Sequence, residues 1–246
     1  MTLAALDLFT KAGIHWFFRW WHILFGVAWI GLLYYFNFVQ VPSFAKMEPA
    51  HRNGAVDKLV PQALWYFRFA ALATAATGIV MLGLYTGGDD SAYSFGKDAG
   101  GTGHAIYMGT VIGLLMLANV WLVIWPNQQK VIANARGVLA GQAADPAAAP
   151  AGRKALLASR TNAILSIPML MFMTGATHFF AGSAGGGVAF VWIVTLLVVA
   201  VLELSALGMI GGFEGPLTKP LAQHRNIAHI GAPLALVLMI LWIVAV

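Results

Sequence analysis

The 246-residue chain contains no cysteine. That excludes disulfides, Cys-ligated zinc, iron–sulfur clusters and the Cys-x-x-Cys-His attachment of a c-type haem. Any redox cofactor must therefore be held by His, Met, Tyr or carboxylate. Charge is scarce too. Asp, Glu, Lys and Arg make up 9% of the residues, against about 25% in a soluble domain. P-loop, Gly-x-Ser-x-Gly and His-Glu-x-x-His signatures are missing, and the glycine-rich stretches 87–88, 100–103 and 185–187 lie between apolar runs as turns. What fills the chain is apolar: 60% of residues are hydrophobic and the mean hydropathy is +0.78. These proportions exclude an ordinary soluble enzyme and a disordered tail, and they leave an integral membrane protein.

A bilayer core about 30 Å thick is spanned by roughly 20 apolar helical residues. Stretches free of Asp, Glu, Lys and Arg cover 20–45, 69–88, 99–129, 161–202 and 226–246. The fourth is long enough for two crossings, and the glycine run at 182–187 divides it. The pattern predicts an all-α integral membrane protein, a six-transmembrane-helix bundle. The spans fall at about 16–40, 64–85, 104–125, 161–181, 188–210 and 227–246 within one membrane domain, residues 1–246. The Ala/Pro-rich stretch 139–152 reads as part of a flexible loop at 126–160. The first span is expected to stay in the protein: it is too long for a signal peptide, has no small-residue cleavage site, and carries Trp20, Trp21, Tyr34 and Tyr35 as interface anchors.

Six crossings put the first, third and fifth loops on one side. That side carries eleven of the 14 Lys and Arg residues, and the other carries only Lys11, Arg19 and Lys97. The positive-inside rule makes the basic side cytoplasmic and both termini periplasmic in a bacterial inner membrane. The basic excess is thus a topology signal, with some anionic-lipid contact, and not a nucleic-acid footprint.

Polar residues at membrane depth are functional candidates. His15 and His22 lie on the first span, His104 opens the third, and His178 lies near the outer end of the fourth. Imidazoles from facing helices are what a non-covalent b-type haem requires. Two of His22, His104 and His178 are the candidate iron ligands, Arg19 is a candidate propionate partner, and Gly26, Gly109, Gly113 and Gly175 are small enough to admit a ring. The competing reading makes them interface histidines in contact with water and headgroups. Deeper in the bundle, Glu203 and Asn119 fall at similar depth. Glu203 is either a proton-relay carboxylate, with Asn119 beside it, or an ion-pair partner of Arg68 or His229. His51 and His224 read as solvated loop residues, and Met169, Met171 and Met173 as packing. Pro168 kinks the fourth span and frees a carbonyl for Ser166 or a neighbour to satisfy.

The stretch RWWHILFGVAWIGLLYYFNFVQVPSF (19–44) resembles the first helix of the N-terminal membrane domain of the membrane-bound bacterial urate oxidase family. VWLVIWPNQQKVIA (120–133) and RTNAILSIPMLMFMTGATHFF (160–180) resemble its third-helix exit and fourth helix. The resemblance implies a cofactor-bearing membrane domain that oxidises urate to 5-hydroxyisourate and passes electrons to a cytochrome c. In that family a c-type cytochrome domain commonly follows; here the sequence ends at Val246 without cysteine, so a separate cytochrome or other redox subunit is the expected acceptor. His22 followed by Trp29-Ile-Gly31 is also similar to membrane-type protoporphyrinogen oxidases and copper-resistance D proteins, the former with a haem-ligating His.

The expectation is a membrane redox protein with one or two haem b groups, urate or a related small donor as substrate, and lipid and a cytochrome as partners. The alternatives are an accessory subunit of a larger electron-transfer complex and a transporter. The absence of inverted repeats and broken-helix pairs weighs against the last.

Overall fold

The computed structural model describes residues 8–86, 100–182 and 184–246, the side chains of 85 and 86 excepted. Lys97 and most of the stretch between the second and third spans lie outside the described residues. Among the described residues, six helical spans are long and apolar enough to cross a membrane. No strand occurs among the described residues.

The first span begins as α1 (Lys11–Tyr34), passes through a π-helical segment, Tyr35–Gln40, and ends as α2 (Val41–Phe44). Thr10 caps its start, its hydroxyl accepting from the Gly13 N–H at 3.1 Å. Helix α3 (Pro49–Lys58) leads into the second span, α4 (Val60–Thr86). The third span is α5 (Gly101–Ala118), a second π-helical segment, Asn119–Ile124, and α6 (Trp125–Leu139). Then come α7 (Ala148–Gly175), α8 (Val188–Ala206), the short α9 (Thr218–Leu221) and α10 (Asn226–Ala245).

Both π-helical segments share a cause. Each is followed within two residues by a proline, Pro42 or Pro126. A proline inside a helix lacks an N–H and crowds the carbonyl four residues back. Widening the preceding turn relieves both problems: Val41 N–H reaches Phe36 O and Trp125 N–H reaches Val120 O, five residues back. Pro168 in α7 is handled differently. Ser166 donates to Ala163 O at 2.7 Å, while the carbonyl left free four residues before the proline, that of Ile164, faces Gly231 of α10. A Cβ at Gly231 would sit 2.9 Å from that oxygen.

Helix α7 is the hub. It packs against α5, α6, α8 and α10 and touches α1. Of its most apolar window 67% is buried, against 28–39% for the other spans. Helices α1 and α4 form a pair of their own on one flank.

Two spans depart from their expected bounds. The stretch expected as a loop at 126–160 is helical except at 140–147. Its alanines favour helix, and the buried Ala148, Ala151, Ala155 and Ala158 seat α7 close to its neighbours. At its other end α7 stops at Gly175, whose carbonyl accepts from the N–H groups of His178, Phe179 and Phe180 at 3.1, 2.7 and 2.9 Å. The chain turns back there because the Phe180 ring is buried between Phe172 and Trp242, with centroids 5.5 and 4.8 Å away.

The basic loops meet at one end of the bundle. Arg136 of α6 pairs with Asp57 of α3 at 2.6 Å, and Arg153 of α7 with Glu214 at 3.1 Å. At the opposite end Gly101 N–H donates to Gly182 O at 2.8 Å, and Gly187 lies against the carbonyl of Ala245. Hydrogen bonds from Lys58 and Arg136 hold the Asp57 carboxyl below its usual value. The sign follows: a carboxyl with a depressed native pKa contributes stability above its unfolded value, about 3.8, and loses it as pH falls further. Acidification through that window should therefore raise hydrogen exchange in α3, and Arg136→Ala should do so already at neutral pH. Equal exchange in both proteins at both pH values would remove the contact from the account of this end.

Candidate functional site

His22 lies midway along α1 and turns towards α4. Its Nδ1 is 2.8 Å from the carbonyl oxygen of Thr74. An oxygen that only accepts fixes the tautomer, so Nδ1 carries the proton and Nε2 presents its lone pair. The Thr77 hydroxyl is 3.4 Å from the same Nδ1 but donates to the carbonyls of Ala73 and Thr74, at 2.7 and 2.9 Å. Gly78 leaves room for the ring, since a Cβ there would lie 3.0 Å from Cε1 and 3.2 Å from Nδ1 of His22. Gly26 serves the close approach of α1 to α4, its nearest neighbour being Thr74 Cγ2 at 3.9 Å.

His104, in the first turn of α5, is engaged elsewhere. The indole N–H of Trp192 on α8 donates to its Nδ1 at 3.2 Å. Its proton then sits on Nε2, the opposite tautomer from His22. His178 lies beyond the end of α7 and is exposed. Its Nδ1 is 3.0 Å from the Thr177 hydroxyl and 3.3 Å from the Thr174 carbonyl. No group of three or more metal-ligating side chains forms among the described residues. His22 and His104 are thus anchored to different helices. Arg19 is exposed on α1, and His15 is buried. Gly109 and Gly175 receive protein side chains, Met173 and Phe180 respectively, while Gly113 faces nothing within 4 Å.

Deeper in the bundle the polar residues do converge. The Asn119 side-chain amide donates to Glu203 Oε2 at 2.8 Å and to Asn162 Oδ1 at 2.9 Å. The Asn162 amide in turn donates to Met116 O at 2.8 Å. Three spans are tied together at membrane depth by this group. Asn119 opens the second π-helical segment, Asn162 is on α7 and Glu203 on α8. Arg68 is not the partner of Glu203. Its guanidinium stacks on Trp125 at 3.8 Å, with Trp121 and Phe69 at 5.5 and 5.1 Å. His229 is exposed on α10, and no ion pair reaches Glu203 among the described residues.

Three participants escape a reading of the sequence alone. Nothing in the sequence singles out Asn162, yet it is fully buried. Ser159 accepts from Asn37 across the α1–α7 contact at 2.9 Å. Tyr34, read as an interface anchor, bonds Ser166 at 2.9 Å inside the bundle. The signal available for the two asparagines is their place beside the prolines: Asn37 lies within one π-helical segment and Asn119 opens the other. Arg160, counted among the basic loop residues, is 4% exposed, and its Nε and Nη1 have no hydrogen-bond partner among the described residues.

Residues 91–206 match the family model described as "Urate oxidase N-terminal". The match takes in His104, Asn119, Asn162, His178 and Glu203 and leaves His22 outside it. Of the three stretches that carried the resemblance, 120–133 and 160–180 fall within the match and 19–44 does not. No curated protein and no solved structure matches the chain.

Proposed function

We propose that this multi-pass membrane protein is a urate oxidase-like redox protein that holds haem b through His22. The observation that carries the reading is the 2.8 Å bond from His22 Nδ1 to the Thr74 carbonyl. An imidazole fixed in this way by a backbone oxygen is oriented for metal through its other nitrogen. A second ligand would come from His178 or His104. Tautomer favours His178, because Trp192 already takes the Nδ1 lone pair of His104. Haem, when bound, would supply one-electron redox chemistry.

Oxidation of urate with one water yields 5-hydroxyisourate, two protons and two electrons. We assign the electrons to a separate cytochrome, taken one at a time. Urate is an anion at neutral pH, and Arg19 on the same helix as His22 supplies positive charge for it or for a propionate. Glu203 and Asn119 are the residues we assign to proton movement, as a buried carboxyl hydrogen-bonded to a single amide donor. The charge asymmetry of the loops supports a bacterial inner membrane with both termini periplasmic.

A pyridine haemochrome assay with haem quantified per polypeptide tests the cofactor, and urate-dependent reduction of the bound haem tests the substrate. Absence of haem from protein purified after expression with ample haem supply would end the reading. A milder variant checks the anchor. Gly78→Val pushes a methyl into the His22 ring and off-sets it from Thr74 O; loss of that orienting bond should cost about 10–100-fold in cofactor affinity. Unchanged haem retention during detergent dilution would show that the Thr74 bond is irrelevant to binding.

A further inference from the structure

A cavity of about 200 Å³ opens at the basic end of the bundle, between the first π-helical segment, α4, α6 and α7. Its walls include Phe36 and Phe67, whose rings meet edge to face at 5.3 Å between centroids. The polar side chains at its edge are Asn37, Gln40, Gln128 and Ser159. None of them is charged. The site therefore does not select an anion such as urate, nor a cation. Its volume is below the roughly 300–1,000 Å³ of pockets for drug-sized ligands. It admits one ring system and neither a nucleotide nor a haem.

Two hydrogen-bond acceptors lining this cavity are unused. Asn37 is 1% exposed and Gln40 is 9% exposed. The side-chain oxygens of both are buried without a partner among the described residues. The orientation of Asn37 is set by its own amide, which donates to Leu33 O and to Ser159 Oγ, each at 2.9 Å. Its Oδ1 is thus left over by construction. Buried polar atoms are nearly always satisfied, and an exception calls for a missing donor. Asn37 and Gln40 lie three residues apart in the first π-helical segment, and both line the cavity. π-Helical turns also recur at functional sites, where they aim side chains that a regular helix would not.

We propose that this cavity binds the headgroup of a quinol, a membrane-soluble, uncharged aromatic ring bearing two opposed hydroxyl groups. The hydroxyls donate to Asn37 Oδ1 and Gln40 Oε1, and the ring packs against Phe36 and Phe67. The oxidised quinone has carbonyls in place of both hydroxyls and leaves the two amide oxygens unpaired. The site therefore prefers the reduced form, which distinguishes it from a general apolar pocket. The proposal concerns binding alone and stands whether or not haem is held at His22.

The test is equilibrium binding of decylubiquinol, kept reduced under anaerobic conditions, and of decylubiquinone to the detergent-purified full chain. Quinol should bind at least about tenfold more tightly, the equivalent of one hydrogen bond. Gln40→Leu removes one acceptor and no hydrogen bond that the protein itself makes. It should weaken quinol binding by about tenfold, leave quinone binding unchanged, and leave folding and haem content as in the parent. Asn37→Leu should act in the same direction, and Ala155→Phe should block both ligands by filling the cavity. Equal affinity for the two redox forms, no binding of either, or insensitivity to Gln40→Leu would overturn the assignment. So would displacement of quinol by urate in simple competition. Loss of haem with quinol preference intact would overturn the reading of His22 and leave this site standing.

Discussion

Replacing His22 with Ala should abolish the Soret band of the purified protein, with haem per polypeptide falling below about a tenth of the parent value. The argument is one of proton position. The Thr74 carbonyl holds the Nδ1 proton at 2.8 Å, so in the neutral ring Nε2 carries the lone pair and no tautomerisation precedes ligation. Few side chains at membrane depth in α1 share that preparation. Controls separate a ligand from a packing residue. Thr77→Val should leave the spectrum alone, because the Thr77 hydroxyl spends its proton on helix carbonyls. His104→Ala should retain the band, since Trp192 occupies its Nδ1. His22→Gly with added imidazole should recover absorbance, because free imidazole occupies the vacated space between α1 and Gly78. A full complement of haem in His22→Ala would move the ligand elsewhere and leave the α1–α4 pair as packing only.

The second large effect is expected at the centre of the bundle. Asn119→Leu deletes both hydrogen bonds donated by one amide. Glu203 Oε2 and Asn162 Oδ1 are then left buried without a donor. Each unsatisfied acceptor costs about 1–3 kcal/mol, so the variant should lose about 2–6 kcal/mol of stability. Thermal unfolding in detergent reads this as a lower midpoint. Glu203→Gln keeps an oxygen for Asn119 to donate to, and should unfold near the parent temperature. Adding Glu203→Leu to Asn119→Leu should restore part of the loss, because two apolar groups replace a broken polar pair. Additive losses in that double variant would show that Asn119 and Glu203 do not act together. The same Glu203→Gln protein tests the proton role: slowed turnover with urate at unchanged stability supports it.

The six spans were legible because hydrocarbon imposes a blunt requirement on backbone and side chain alike. Their limits were less so. Arg160 was read as the edge of a span because charge marks the end of an apolar run, but neighbouring helices rather than lipid surround it here. The Ala/Pro-rich stretch 139–152 was read as part of a flexible loop because alanine carries little hydropathy signal. Alanine nonetheless lets helices approach closely, and α7 uses it for that. Asn119 and Glu203 were placed at one depth by counting 1.5 Å per residue, and the structure joins them. Their third partner, Asn162, was missed because its rotation about α7 depends on which sides of that helix face protein. His22, His104 and His178 were placed in one layer by the same arithmetic. Depth alone does not give azimuth, and their hydrogen bonds point to α4, to α8 and to the turn after α7.

The burial pattern of α7 also bears on how the chain enters a bilayer during synthesis. This helix carries Arg160, Thr161, Asn162 and Ser166, side chains that lipid tails do not welcome. It leaves the ribosome after α1–α6 and before α8 and α10. A receiving surface of earlier helices must therefore shelter it at the translocon until the last two arrive. Truncation after α7 should leave that segment poorly inserted, and co-expressed α8–α10 should rescue it.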